Sequence, residues 1–495
     1  MNYFNAYSLP PKDAAVAAWD SQIAQAAEMP SLAGMLLDRG SEIFPQFVKF
    51  YTELGSLPRN ARRALQRRLA SAREFDTIPP EWRRRLAGSI AGAALLLALG
   101  QGTAQAVAFT INVSPKTPPG IIADGKCSLI EAIVNANNGA QTHPDCDTGG
   151  GYTNIILPPG FQTLRSPYPG NYADTGLPVI LSHITIEGNG AKIVRAKGAT
   201  EFRIFAVGET GNLTLKNTTV SGGIADKGGA IFNYKGAVYV QDSTISGNSA
   251  SDRGGGIYSY AGLVVIDPST ISINSADYGG GVATRYGKVY LTDTVLTRNT
   301  ADSGGAIYSY YGLTTVDGCT ISKNTASRGG GIYAIHGNKT YISDTIITGN
   351  KVSDRGGGIY QNFHGVYMGL LSIDGSTISK NAAPIGAGVH NRVDSTYISD
   401  SSITGNKARE IGGGIYNYDA LLTIDPSTIS GNSARYGGGV ENDGGTFTLT
   451  NSTITGNKAS VRGGGVDNTG NSSFTNNGTV SGNKAKTDQD ISYNP

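Results

Sequence analysis

The chain has 495 residues, with 40 Lys and Arg against 38 Asp and Glu and a formal charge of +2. So even a balance gives no whole-chain argument for nucleic acid or an acidic polymer as partner. Only 16% of residues are charged and 69 are glycine, which suits a secreted solenoid; the sustained apolar columns of its repeats argue against disorder.

Residues 1–85 read as a separate, basic helical segment. Leu32 to Leu54 and Ala61 to Arg73 carry the helical patterning, and Arg62-Arg63, Arg67-Arg68 and Arg83-Arg84-Arg85 carry the charge. Residues 86–106 follow as a signal-peptide-like or anchor segment. Leu86 to Gly100 holds only Ser89 as a polar residue, and Thr103-Ala104-Gln105-Ala106 ends it. A basic flank, a short apolar run and a small-residue end form the pattern of an export signal, whereas a spanning helix needs about 20 apolar residues. The residues ahead of it fit three arrangements: an upstream-shifted start site, an extended signal region, or a retained anchor with a cytoplasmic head. Export with cleavage near Ala106 is the expectation.

Residues 107–195 read as an N-terminal cap and first coils. Within them, Lys126 to Asn137 breaks a strand-like composition with a short amphipathic helix, Ile130, Ile133 and Val134 falling on one face. Ser128 and Glu131, three residues apart, have the spacing of a capping box. A helix ahead of a solenoid is expected to cover its first open strand edge. After export, Cys127 and Cys146 are expected to form a disulfide. Cys319 replaces a repeat serine and is expected to stay unpaired.

Residues 196–495 read as the repeat domain. Asn248, Asn274, Asn299, Asn324, Asn350, Asn381, Asn406, Asn432, Asn457 and Asn483 recur at steps of 25 or 26 residues, with one step of 31. A fixed period of this size means stacked units that cannot bury their apolar faces alone. Short alternating runs such as Leu421–Ile424 and Ser427–Ser430 read as strands, so the fold class is all-β, a solenoid whose coils lie about 4.8 Å apart. Ile245, Ile271, Leu296, Ile321, Ile347, Ile378, Ile403, Ile429, Ile454 and Val480 form the predicted core column. The asparagine column reads as a ladder of stacked amides, and the glycine clusters such as Gly254-Gly255-Gly256 as a tight corner. The longer step is assigned to a surface loop around Gln361 to Gly369.

Two columns are candidate binding sites. One is a carboxylate column that includes Asp267, Asp293, Asp317 and Asp344; stacked at the coil pitch its charges would repel, and Ca2+ could relieve them, although Asx-turns are the plainer reading. The other is aromatic: Tyr258, Tyr308, Tyr333, Tyr360 and Tyr416, with Tyr260, Tyr310 and Tyr418 two residues on in their coils. Each first-column tyrosine follows an inward Ile, so these rings are expected to face outward, toward sugar rings or a protein partner.

Cys127-Ser-Leu-Ile-Glu-Ala-Ile133 with Asn135-Ala-Asn137 resembles the Cys-Ser-Leu-Arg-Glu-Ala motif of a family of bacterial surface proteins, with Ile130 in the place of Arg. Gly228-Gly-Ala-Ile-Phe-Asn233 and Gly304-Gly-Ala-Ile307 resemble the polymorphic outer-membrane protein repeat. The likeness covers about residues 107 to 490. It implies a right-handed parallel β-helix of the pectin-lyase-like type, exported to a bacterial surface or beyond, with possible outer-membrane association. The Tyr face points to an adhesive or structural surface role with a glycan or surface protein as partner, and the even charge balance to no nucleic acid. Some proteins on this fold are polysaccharide lyases, hydrolases or epimerases, which makes a polysaccharide-active enzyme the alternative. No catalytic constellation of acid and base is visible in the sequence, and Arg355 to Gly369, with Asp354 and His364, is its least repetitive stretch.

Overall fold

The computed structural model describes residues 109–169, 174–362, 369–392 and 395–494. The basic segment at 1–85, the apolar stretch at 86–106 and His364 lie outside the described residues. Those described belong to one contact unit, Val107–Pro495.

The chain winds into an all-parallel β-solenoid of about 12 turns, with about 26 residues per turn. A representative turn has four strands: Leu263–Asp267, Thr270–Ser272, Ser275–Tyr278 and Val282–Arg285. The first two belong to a 25-stranded sheet, the third to a 10-stranded sheet and the fourth to a 12-stranded sheet. The short alternating runs read as strands from the sequence account for the first two of these. The third, Ser275–Tyr278, lacks an apolar alternation because it is held by its neighbours Ser249–Arg253 and Thr300–Ser303.

The predicted core column stacks in register, Ile271 opposite Ile245 and Leu296, and Ile321 opposite Ile347. From Ile245 to Ile454 its members are at most 1% exposed. Burying an aliphatic side chain of this size contributes roughly 1.5–3 kcal/mol. The asparagines form the expected ladder. Asn274 Nδ2 donates to Ile245 O of the previous coil (3.0 Å) and to Asn299 Oδ1 of the next (3.1 Å), while Asn274 N–H donates to that same oxygen (3.0 Å). Each amide is thereby satisfied inside the core. The ladder ends on a carboxylate: Asp490 Oδ1 accepts from both the backbone N–H and Nδ2 of Asn483, each at 3.0 Å.

Helix α1 (Leu129–Asn138) sits at the N-terminal end, where its Leu129 and Ile133 join Ile111 and Ile155 in the core. Ser128 Oγ accepts from Glu131 N–H (3.2 Å) and Glu131 Oε2 accepts from Ser128 N–H (2.9 Å), which is the anticipated capping box. Val134 is half-buried rather than buried. Cys127 and Cys146 are joined by a disulfide across the start of α1. Cys319 is a free, buried thiol in a ladder of Ser and Thr side chains, accepting from Thr294 N–H at 3.4 Å, and burial pushes its pKa up.

The carboxylate column is corrected by the structure. Asp293 and Asp344 occupy a turn position with φ of 47° and 45°. Asp267 and Asp317 stand one register earlier, opposite Gln241 and Thr292 respectively, and are followed by Pro268 and Gly318. The carboxylates therefore alternate between two positions from coil to coil. Several accept hydrogen bonds, as Asp317 does from Ser343 Oγ and Asp374 from Ser399 Oγ. Pro or Gly in the turn leaves the preceding residue to carry the polar cap, which is why the Asp-to-Asn spacing alternates.

Candidate functional site

The outer face of the 12-stranded sheet carries the aromatic column. Ile257 points in and Tyr258 points out, as alternation requires, yet Tyr258, Tyr308, Tyr333 and Tyr360 are only 3–6% exposed and Tyr416 8%. The expectation of an exposed first column is thus corrected. The glycine corner supplies the reason. Gly254, Gly329, Gly356 and Gly412 all have φ between 61° and 70°, and the backbone folds back on the outer side. A Cβ on Gly356 would lie 2.4 Å from Tyr360 Cβ, and one on Gly329 would lie 2.6 Å from Tyr333 Cβ. The corner therefore creases outward, and the crease encloses the rings.

Within the crease the rings stack on one another. Tyr333 and Tyr360 lie 4.8 Å apart with planes 2° from parallel, and Tyr308 meets Tyr333 at 5.6 Å. Where the column narrows to Ala283, Tyr278 swings in from the facing strand to within 5.1 Å of Tyr308. Arg328 and Arg355 both bond to Asp354 at 3.0 Å along the crease. Burial pushes the Asp354 carboxyl up, but hydrogen bonds from Arg355 and Arg328 outweigh it and hold the group below its ordinary value. His390 continues the column, 4.6 Å from Tyr360 and 4.8 Å from Tyr416. Burial, with the charges of Arg355 and Arg392, holds it well below its ordinary value and so neutral.

Sequence reasoning missed the column beyond Tyr416. Its next two members are Glu441 and Asp467, in register with Tyr416 and with each other. Glu441 is 4% exposed and Asp467 0%. Arg462 Nε bonds Asp467 Oδ2 at 2.9 Å, Thr469 Oγ1 donates to Glu441 Oε1 at 3.3 Å, and Tyr416 Oη donates to Asp443 Oδ2 at 2.9 Å. Burial, then the neighbouring Asp467, pushes the Glu441 carboxyl up to about 9. A signal was present: Gly438-Gly439-Val440-Glu441 and Gly464-Gly465-Val466-Asp467 keep the register of Gly413-Gly414-Ile415-Tyr416. Among the described residues no cluster of three or more His, Cys, Asp and Glu side chains has the geometry to hold a metal ion.

The second column, Tyr260, Tyr310 and Tyr418, is half-buried at the rim, where the 12-stranded sheet gives way to the next corner. Tyr260 joins Tyr234 in a stack at 5.7 Å, and Arg392 lies over the Tyr418 ring at 4.8 Å. The structure thus separates the two predicted aromatic columns into a buried floor and an accessible rim.

Residues 311–485 match the family model of the right handed beta helix region, and residues 242–260 match the Chlamydia polymorphic membrane protein repeat. No curated protein and no solved structure matches the chain. The in-register coils make the described chain a parallel β-solenoid, and its similarity to the right handed beta helix region and to the polymorphic membrane protein repeat lies in those two stretches.

Proposed function

We propose that the chain is an exported β-helix, displayed at a bacterial surface or released from it, that contacts a glycan or protein partner through its rim tyrosines. The observation that carries the reading is the accessible rim column, Tyr260, Tyr310 and Tyr418, supported on a floor of buried rings. Rigid backing lowers the entropy lost when an aromatic side chain engages a ligand. Export is supported by the Cys127–Cys146 disulfide, which persists in oxidising compartments, and by the surface setting of the repeat family. A glycan array probed with the full chain tests the reading. Binding that falls at least tenfold in a Tyr260→Ala/Tyr310→Ala/Tyr418→Ala variant is the expected result, and no binding to any glycan, matrix or cell surface would remove it.

The second reading, a polysaccharide-active enzyme, has one observation in its favour: Tyr416, Glu441, Asp443 and Asp467 form a nonrepetitive acid cluster. The burial of Tyr416, Glu441 and Asp467 counts against contact with substrate, so binding without turnover is preferred. Mass spectrometry of each array hit separates the two, because cleavage leaves new reducing or unsaturated ends.

A further inference from the structure

At the rim, several coils of the 12-stranded sheet turn through a residue in the left-handed region before entering the next strand. In five successive coils these residues are Lys235, Ala261, Tyr286, Tyr311 and His336, with φ between 49° and 61°. Asp419 holds the same position further on, with φ of 48°. This backbone conformation suits Gly, Asn or Asp and is an outlier for a bulky side chain. Packing does not demand a ring here, since Lys, Ala and Asp serve in sister coils. Three consecutive coils nevertheless carry rings, and Tyr286 is 46% exposed.

The rings form one cluster. Tyr286 stacks on Tyr311 at 5.7 Å and 17°, and Tyr311 stacks on His336 at 5.0 Å and 23°. Tyr310 closes the side, edge-on to Tyr311 at 4.9 Å and to Tyr286 at 5.9 Å. Arg285 lies at the centre, its guanidinium carbon 5.1 Å from the centroids of both Tyr286 and Tyr310. Its Nη2 reaches Tyr286 Oη at 3.4 Å, and its Nε is buried without a hydrogen-bond partner. Arginines of the crease are neutralised locally: Arg253 by Asp252, Arg328 by Asp354 and Arg462 by Asp467. Among the described residues no carboxylate pairs with Arg285. The stretches Val282–Thr292, Ile307–Val316 and Ile332–Ser343 contain no acidic residue and add Lys288 and Lys339.

We infer that the corner cluster of Tyr286, Tyr310, Tyr311 and His336 around Arg285 is a binding site for an anionic glycan, a pyranose chain bearing carboxylate or sulfate. This rests on the proposed binding role and assigns it a locus and a ligand charge. Aromatic faces match the apolar faces of pyranose rings, phenol hydroxyls match their hydroxyls, and the unneutralised guanidinium matches the anion through charge-assisted hydrogen bonds. Rings repeat once per coil, so an extended chain lying along the axis meets a new ring at each step. A nucleic acid is the weaker occupant, because its affinity comes from many phosphate contacts, and one arginine with two lysines supplies few.

The test is calorimetric titration of the full chain with a heparin-derived hexasaccharide, a neutral cellohexaose and an oligothymidylate. The sulfated chain is expected to bind best, with affinity that falls as salt rises. Tyr286→Gly/Tyr311→Gly is the decisive variant: it removes the rings and relieves the backbone, so binding should drop at least tenfold while the unfolding midpoint holds or rises. Arg285→Gln should erase the preference for the sulfated chain over the neutral one. A lower midpoint in the glycine variant with binding intact would make the rings structural and overturn the inference. Equal or tighter binding of cellohexaose or oligothymidylate would overturn the ligand class. If the chain binds array glycans through Tyr418 and the glycine variant binds them equally, this site falls and the broader reading stands; if no glycan binds, this site falls, and the broader reading falls with it only when matrix and cell surface are not bound either.

Discussion

One column of the solenoid is built in two chemistries. From Tyr308 to Tyr360 the crease holds rings in register; from Tyr416 onward it holds Glu441 and Asp467. Rings stacked at the coil pitch attract, so an aromatic column lengthens without penalty. Carboxylates at the same pitch repel, so the acid stretch is held only because Arg462 neutralises Asp467 and Glu441 keeps its proton. The comparison shows what a parallel, in-register fold does: it multiplies whatever chemistry one coil position carries, favourable or not.

The largest effect is expected from breaking the aromatic half. Tyr333 lies between Tyr308 and Tyr360 and is 5% exposed. Tyr333→Ala should cost about 3–5 kcal/mol, the range for deleting a buried ring. Because a solenoid loosens coil by coil, the loss should register as faster hydrogen exchange at Ile307–Tyr310 and Ile359–Asn362. Unchanged exchange there would mean that the column is not packed as described.

The acid half should break with pH. Glu441 is raised to about 9 from an ordinary 4.5, so it contributes most below pH 4.5, where it is protonated in both folded and unfolded chains. That contribution is lost as pH climbs toward 9, because only the unfolded chain releases the proton readily. The difference by pH 7 is on the order of 3 kcal/mol. Asp467 shifts the same way through burial, opposed by Arg462; Asp443 adds further repulsion toward Glu441, and Thr469 lowers it slightly. Glu441→Gln should flatten the pH dependence of hydrogen exchange at Val440–Asp443 while leaving Ile332–Ile335 in the aromatic half unaffected. A wild-type profile that is flat from acid to alkaline pH would refute the assignment.

Much of this was legible in the sequence. The Asn and Ile columns, the glycine corner and the Ser128–Glu131 cap each follow from spacing and residue type alone. The burial of Tyr258, Tyr333 and Tyr360 was not, because alternation tells which side a ring faces and not whether the corner beside it bends inward or outward. That sense is set by φ at Gly254, Gly329 and Gly356. The split of the Asp column was legible in principle, since Pro268 and Gly318 mark one set and Thr294 and Thr345 follow the other. Glu441 and Asp467 were missed because the column was followed by its aromatic letters. The coil register, which Val440 and Val466 preserve, leads to them directly.

The smallest expected effect isolates the difference between the halves at a single atom. Tyr416 donates to Asp443 of the next coil at 2.9 Å. Tyr333 has a neutral amide, Asn362, at the equivalent place. Both phenols are raised first by burial; Tyr416 is raised further by the Asp443 charge, whereas Asn362 eases Tyr333 downward. Asp443→Asn therefore rewrites the acid half as the aromatic half. An oxygen acceptor remains, so stability should change by only about 1 kcal/mol, the scale of one neutral hydrogen bond. The Tyr416 phenol should then titrate at lower pH in ultraviolet absorbance. Glu441 should come down with it, because Asp443 is one of the charges that raise it. If Tyr416 titrates unchanged, burial alone sets its pKa, and the two halves differ in their floor residues but not in the rim that bonds them.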